Sequence, residues 1–99
     1  MPTTRTALIW SPAARNDIIR LYEFLNSENP DAATRAIRSI KHSANSLVNF
    51  PALGKRLEGR QDREVFVPFG KRGYVIRYRL DGVIPVILRI WHSLESKEE

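Results

Sequence analysis

The chain of 99 residues has no cysteine and only two histidines, His42 and His92. Disulfides and thiolate zinc sites are therefore excluded, and a metal centre would have few candidate ligands. His42 reads as a solvated helix residue, and neither a metal nor a cofactor is expected. No apolar run approaches the roughly 20 residues needed to span a bilayer, and the N-terminal region has no signal-peptide apolar core. No membrane association is expected, and the cytoplasm is the expected location. The sequence also has no phosphate-cradling loop, nucleophile elbow or metal-binding helix motif.

What is present is the composition of an ordinary globular protein, 42% hydrophobic and 27% charged. One domain over 1–99 is expected, with 1–5 and 95–99 as loose tails. The net charge of +5 is unevenly placed: residues 55–89 hold nine basic and four acidic groups, an excess equal to that of the whole chain. Such asymmetry points to an anionic partner, either nucleic acid or an acidic protein segment.

Along the chain, Thr6 to Trp10 reads as a short strand. Ser11-Pro12 then starts a helix running to about Ser27, with the serine as cap and the proline at the first helical position. Ile18, Leu21, Tyr22 and Leu25 recur at helical spacing. Asn29-Pro30 repeats the device for a second helix, whose stripe is Ala33, Ile37, Ile40, Ala44, Leu47 and Val48, with Arg35, Arg38 and Lys41 facing elsewhere. Phe50-Pro51 ends it. Ala52 to Asp62 reads as a basic loop and Arg63 to Phe69 as a strand, with Pro68 marking an edge. The fold class is α+β: an N-terminal strand, an antiparallel helical hairpin, then a three-stranded antiparallel sheet, in the order β-α-α-β-β-β.

The centre of that sheet is the stretch from Gly73 to His92, two β-branched and aromatic runs broken by Asp81-Gly82, a strong hairpin signal. The apolar pattern favours a three-residue loop, Asp81 to Val83, with Gly82 at positive φ. This register puts Tyr74, Ile76 and Tyr78 beside Val86, Leu88 and Ile90 on the core face. The other face then carries Val75, Arg77, Arg79, Ile87, Arg89 and Trp91, and of these Arg77, Arg79, Ile87, Arg89 and Trp91 are the candidate binding residues. On this reading Trp91→Ala weakens binding at little cost to the fold, while Leu88→Ala is costly.

A hydrolase would have to be built from Arg63, Glu64, Arg77, Arg79 and His92, with arginines holding a phosphate and His92 as general acid or base. Arg63 and His92 are the candidate catalytic residues. The plainer reading makes Arg63 and Glu64 surface pairs and His92 a strand end.

Taken together, Trp10-Ser11-Pro12-Ala13-Ala14 with Asp17 and Tyr22, Asn29-Pro30 with Ala32-Ala33, Leu47, Pro51 and Gly54, Arg63-Glu64-Val65, Tyr74, Ile76, Tyr78-Arg79, and Ile87-Leu88-Arg89-Ile90 before His92 form a series. The series resembles the ParE/RelE superfamily of bacterial type II toxins, more closely its ParE branch. The resemblance implies a toxin neutralised by a cognate antitoxin, associated with plasmid stabilization and poisoning DNA gyrase, and so a binding protein rather than an enzyme. The RelE branch implies the alternative, an endoribonuclease that cuts messenger RNA on the ribosome. Laid over this chain, the nuclease pattern puts its basic strand positions on Phe66, Pro68 and Val75, which carry no charge. The family's arginine after the last-strand histidine is replaced by Leu94 or Glu95, and the tail tyrosine has no counterpart. These departures weigh against the nuclease, and the missing arginine also allows an inactive toxin-fold binding module.

Overall fold

The computed structural model describes residues 8–95. Its elements are β1 (Ile9–Trp10), α1 (Pro12–Asn26), α2 (Pro30–Asn49), β2 (Lys55–Arg56), β3 (Arg63–Phe69), β4 (Arg72–Asp81) and β5 (Ile84–His92). The fold is α+β as expected, but the sheet is larger and mixed. Five strands lie in the order β1-β5-β4-β3-β2, with β1 parallel to β5 and the other neighbours antiparallel. The parallel pair is possible because the whole helical hairpin forms part of the crossover between β1 and its partner. Thr6 and Ala7 of the expected first strand lie outside the described residues, as do 1–5 and 96–99 of the expected tails. Glu95 is anchored: its carboxylate accepts the His92 N–H at 2.7 Å and pairs with Arg20.

Both helices begin where local chemistry dictates. Ser11 Oγ accepts from Ala14 N at 3.0 Å and Asn29 Oδ1 from Ala32 N at 3.1 Å, each followed by a proline that lacks the amide a first turn would leave unpaired. α1 buries Ala14, Asp17 and Leu21, and α2 buries Ala33, Ala36, Ile40, Ala44 and Leu47. Tyr22 and Val48, expected on the buried stripes, are 39% and 41% exposed. Alanines at three of α2's five buried positions leave little side-chain volume between it and its neighbours. Against the helices pack Val67 of β3, Tyr74, Ile76 and Tyr78 of β4, and Ile87 and Ile90 of β5.

The central hairpin corrects the expected register. Asp81 pairs with Ile84, so the loop is the two residues Gly82 and Val83, with Gly82 at φ +66°. Glycine first in a two-residue loop is the type II′ pattern. Tyr78 then faces Ile87, but Arg77 faces Arg89, and the unpaired residue between them, Leu88, is a β-bulge. One extra residue restores the expected sides beyond it, but with Ile76 meeting Ile90 and Val75 meeting Trp91, where a three-residue loop would pair them with Leu88 and Arg89. Near the turn the expected parity fails. Ile87 is fully buried in the core, and Leu88, expected there, is only partly buried.

β2 falls in the stretch read as loop and pairs Lys55 with Glu64 and Arg56 with Arg63. Two charged residues carry no alternation by which to recognise a strand. Because β2 covers only the start of β3, the rest of β3, Pro68 included, is an edge, which a residue without an amide tolerates.

Candidate functional site

β1 is so short that β5 loses its outer neighbour after Ile87, and side chains from α1 complete that edge. Ser11 N donates to Ile87 O at 2.9 Å and Ser11 Oγ to Leu88 O at 3.0 Å, tying the helix cap to the bulge. Nearly two turns on, the Asp17 carboxylate accepts from Ile90 N at 2.8 Å, and Arg20 donates to Ile90 O at 3.2 Å. Asp17 also receives Arg89 Nε at 2.8 Å and a second Arg89 nitrogen at 3.1 Å. Burial alone would raise the Asp17 carboxyl, but the bonds from Arg89, the Ile90 amide and Arg20 outweigh it and hold it below the usual range. The same bond, donated to Asp17, raises Arg89 above its ordinary value. Arg89 is thus paired with α1, while its side chain remains half exposed. A signal for Asp17 exists in the sequence: with Ala14 and Leu21 it falls at i, i+3, i+7, a charge on an otherwise apolar stripe.

On the sheet face away from the helices, Glu64 of β3 lies opposite Arg77 of β4, and its Oε2 accepts Arg77 Nε at 3.0 Å and a terminal nitrogen at 2.7 Å. The Arg77 guanidinium stands over the Trp91 ring, 5.2 Å from its centroid. Arg77 and Trp91 are only 7% and 9% exposed. A charge this deep needs its partner, and Glu64 supplies it. The candidate binding residues therefore divide. Arg77 and Trp91 form a buried stack, Ile87 is core, Arg89 belongs to the α1 edge, and Arg79 is exposed.

The candidate catalytic residues do not converge. Arg63 lies opposite Tyr78 and donates to Gly54 O at 2.9 Å. Tyr78 Oη donates to Pro51 O and accepts from Gly54 N, both at 2.8 Å, so the pair pins the chain leaving α2 to the sheet. A Cβ at Gly54 would stand 2.6 Å from the Tyr78 ring, which explains the glycine. Burial pushes the Tyr78 hydroxyl up, against smaller opposing effects of the Gly54 amide and Arg63. His92 lies at the other end of β4, opposite Tyr74 with the rings edge to face at 5.2 Å, and its Nδ1 accepts Leu94 N at 3.1 Å.

His92 also lines a groove of about 500 Å³ between α1 and the ends of β4 and β5, with Leu21, Phe24, Leu25, Tyr74 and Leu94 as its apolar walls. Phe24 is 70% exposed and Leu94 65%, unusual for side chains of this size, and Arg20 and Glu95 pair at the rim. The apolar pattern of α1 did not reveal this groove, because Phe24 sits outside the stripe that faces the core.

The family model of the ParE toxin of the type II toxin-antitoxin system parDE matches residues 8–96. Among curated proteins, Toxin RelE1 of Caulobacter vibrioides is 39% identical, over 95% of this chain and 99% of its own length. Toxin RelE3 of the same organism is 42% identical, over 87% and 92%. Among solved structures, a chain of the chromosomal ParDE system from P. aeruginosa superposes with a TM-score of 0.71 at 22% identity, covering 88% of this chain and 95% of that one, a likeness of fold. With the family model spanning nearly all of it and full-length relatives well above 30% identity, the chain belongs to the ParE toxin family of type II toxin-antitoxin systems.

Proposed function

We propose that this toxin acts by binding DNA gyrase rather than by cutting messenger RNA. The observation that carries the reading is the division of its charged groups. Arg63 and His92 lie opposite Tyr78 and Tyr74 on the helix side of the sheet, four residues or about 13 Å apart along a strand. Arg77 lies on the other side. Arg63, Arg77 and Arg89 are held by the Gly54 carbonyl, Glu64 and Asp17 respectively. Cleavage of a phosphodiester needs an acid, a base and a cation around one phosphate, and these side chains do not surround one. The choice of gyrase rests on the likeness to ParE.

The second reading, a ribosome-dependent endoribonuclease, draws on the relatives named RelE1 and RelE3. One preparation put through both assays separates the two. The gyrase reading expects loss of supercoiling or trapped cleaved DNA, with ribosome-bound messenger RNA intact. Codon-positioned cuts that disappear in His92→Ala would replace it with the nuclease, and no effect in either assay would leave an inactive toxin.

A cognate antitoxin follows from the family, and the groove beside α1 suits an amphipathic antitoxin segment, since it offers apolar walls with a charged rim. Phe24→Glu should weaken co-purification with the product of the neighbouring small gene at least about tenfold, as expected of an interface anchor. Undiminished co-purification would move the antitoxin elsewhere.

A further inference from the structure

From Ala32 to Leu57 the chain contains no Asp or Glu, yet it holds Arg35, Arg38 and Lys41. On α2 these three, with Thr34, His42 and Asn45, occupy an arc of about 120° at 100° per residue, opposite the buried alanines. All six are exposed. The patch continues onto the sheet. The Arg35 guanidinium stands over the Phe69 ring, 5.8 Å from its centroid, and Phe69 pairs with Arg72 across the β3–β4 turn that also carries Lys71. Two shallow depressions of about 440 and 370 Å³ share Arg38 and His42, one bounded by Lys41 and Asn45, the other by Ser39, Ser43 and Pro68. Among the described residues, no ion pair is made by Arg35, Arg38, Lys41, Lys71 or Arg72.

We propose that the outer face of α2 and the Lys71-Arg72 turn form a binding surface for the phosphate backbone of duplex DNA, indifferent to sequence. The chemistry of the face selects this partner. Phosphates are contacted by Arg and Lys interleaved with Ser, Thr and Asn, which is what the arc presents. A protein interface would centre on apolar or aromatic anchors, and none of the six arc residues is one, whereas the exposed Phe24 and Leu94 lie at the α1 groove. A rigid helix with cations about 4.5 Å apart along its axis presents a row of charge to a phosphate backbone, and contacts to phosphate carry no sequence information. The surface is separate from the α1 groove and is independent of the gyrase reading.

The test is fluorescence anisotropy of a labelled mixed-sequence duplex with the full chain, across about 50 to 200 mM salt. Binding should weaken linearly on a logarithmic salt scale, by about 0.9 in slope for each phosphate neutralised. Arg38→Glu with Lys41→Glu should lower affinity at least about tenfold and the slope by about 2, while Lys55→Glu with Arg56→Glu, an equal change of net charge on β2, leaves both near wild type. Lys71→Ala with Arg72→Ala provides a second pair in the turn, and far-UV circular dichroism checks that each variant folds. No binding at the lowest salt overturns the proposal, as does an equal loss in the β2 variant, which would make the effect one of net charge. Tighter binding of single-stranded RNA, or of polyglutamate, would assign the surface to another partner and equally overturn it.

Discussion

Asp17 receives four hydrogen bonds, two from Arg89, one from Arg20 and one from the Ile90 amide, while only 3% exposed. Its carboxyl is depressed in the folded state, so its stabilisation is present above the unfolded value near 3.8 and is lost as pH falls through the folded value. Melting temperature should accordingly drop on acidification. Asp17→Asn should be less stable at neutral pH by about 1.5 to 3 kcal/mol, with the gap to wild type closing in acid. A gap that persists unchanged in acid would mean that shape, not charge, sets the role of Asp17. At the other end of the core, Tyr78→Phe removes both bonds to the segment after α2 and should lower the urea midpoint by an amount equivalent to about 1 to 3 kcal/mol. The Trp91 stack reverses an expectation: at 9% exposure beneath Arg77, Trp91→Ala should cost about 3 kcal/mol in chemical denaturation.

At the scale of elements, the bulge at Leu88 sets which substitutions matter. Ile87→Ala should destabilise by about 2 to 5 kcal/mol and Leu88→Ala by clearly less, as read by the same denaturation midpoints. Equal costs would contradict the pairing of Tyr78 with Ile87. The helices were legible in the sequence because Ser11-Pro12 and Asn29-Pro30 act through bonds three residues long. The alternation of Tyr74, Ile76 and Tyr78 likewise marked the core face of β4. The bulge was not legible, because two registers of similar apolar pattern differ by a single residue, and the deciding contact, Ser11 on the Leu88 carbonyl, joins positions 77 apart. β2 and the pairing of Arg89 with Asp17 were hidden for the same reason, as partners distant in sequence. Of the candidate site, alternation put Arg77 and Trp91 on the side of the sheet where they lie. Their burial was not legible, since alternation reports a side but not what Glu64 and the stacked rings do there.

For the whole molecule, the strand that closes the sheet is the last one among the described residues. β5 is flanked by β4 and β1, and it supplies the backbone to which Ser11, Asp17 and Arg20 attach. Contacts of such sequence separation form late, after the entropy of closing a long loop has been met. A chain ending at Val83 should therefore show no cooperative urea transition, since the sheet would lose the strand between β1 and β4, and α1 its hydrogen bonds to it. During synthesis the same dependence acts as a timer: β1 emerges early but has no strand to pair with, and Ser11, Asp17 and Arg20 no backbone to bond, until residues 84–92 clear the ribosome. The toxin thus acquires its shape only after β5 has left the ribosome, and a partner already present there meets it first as an unfinished chain.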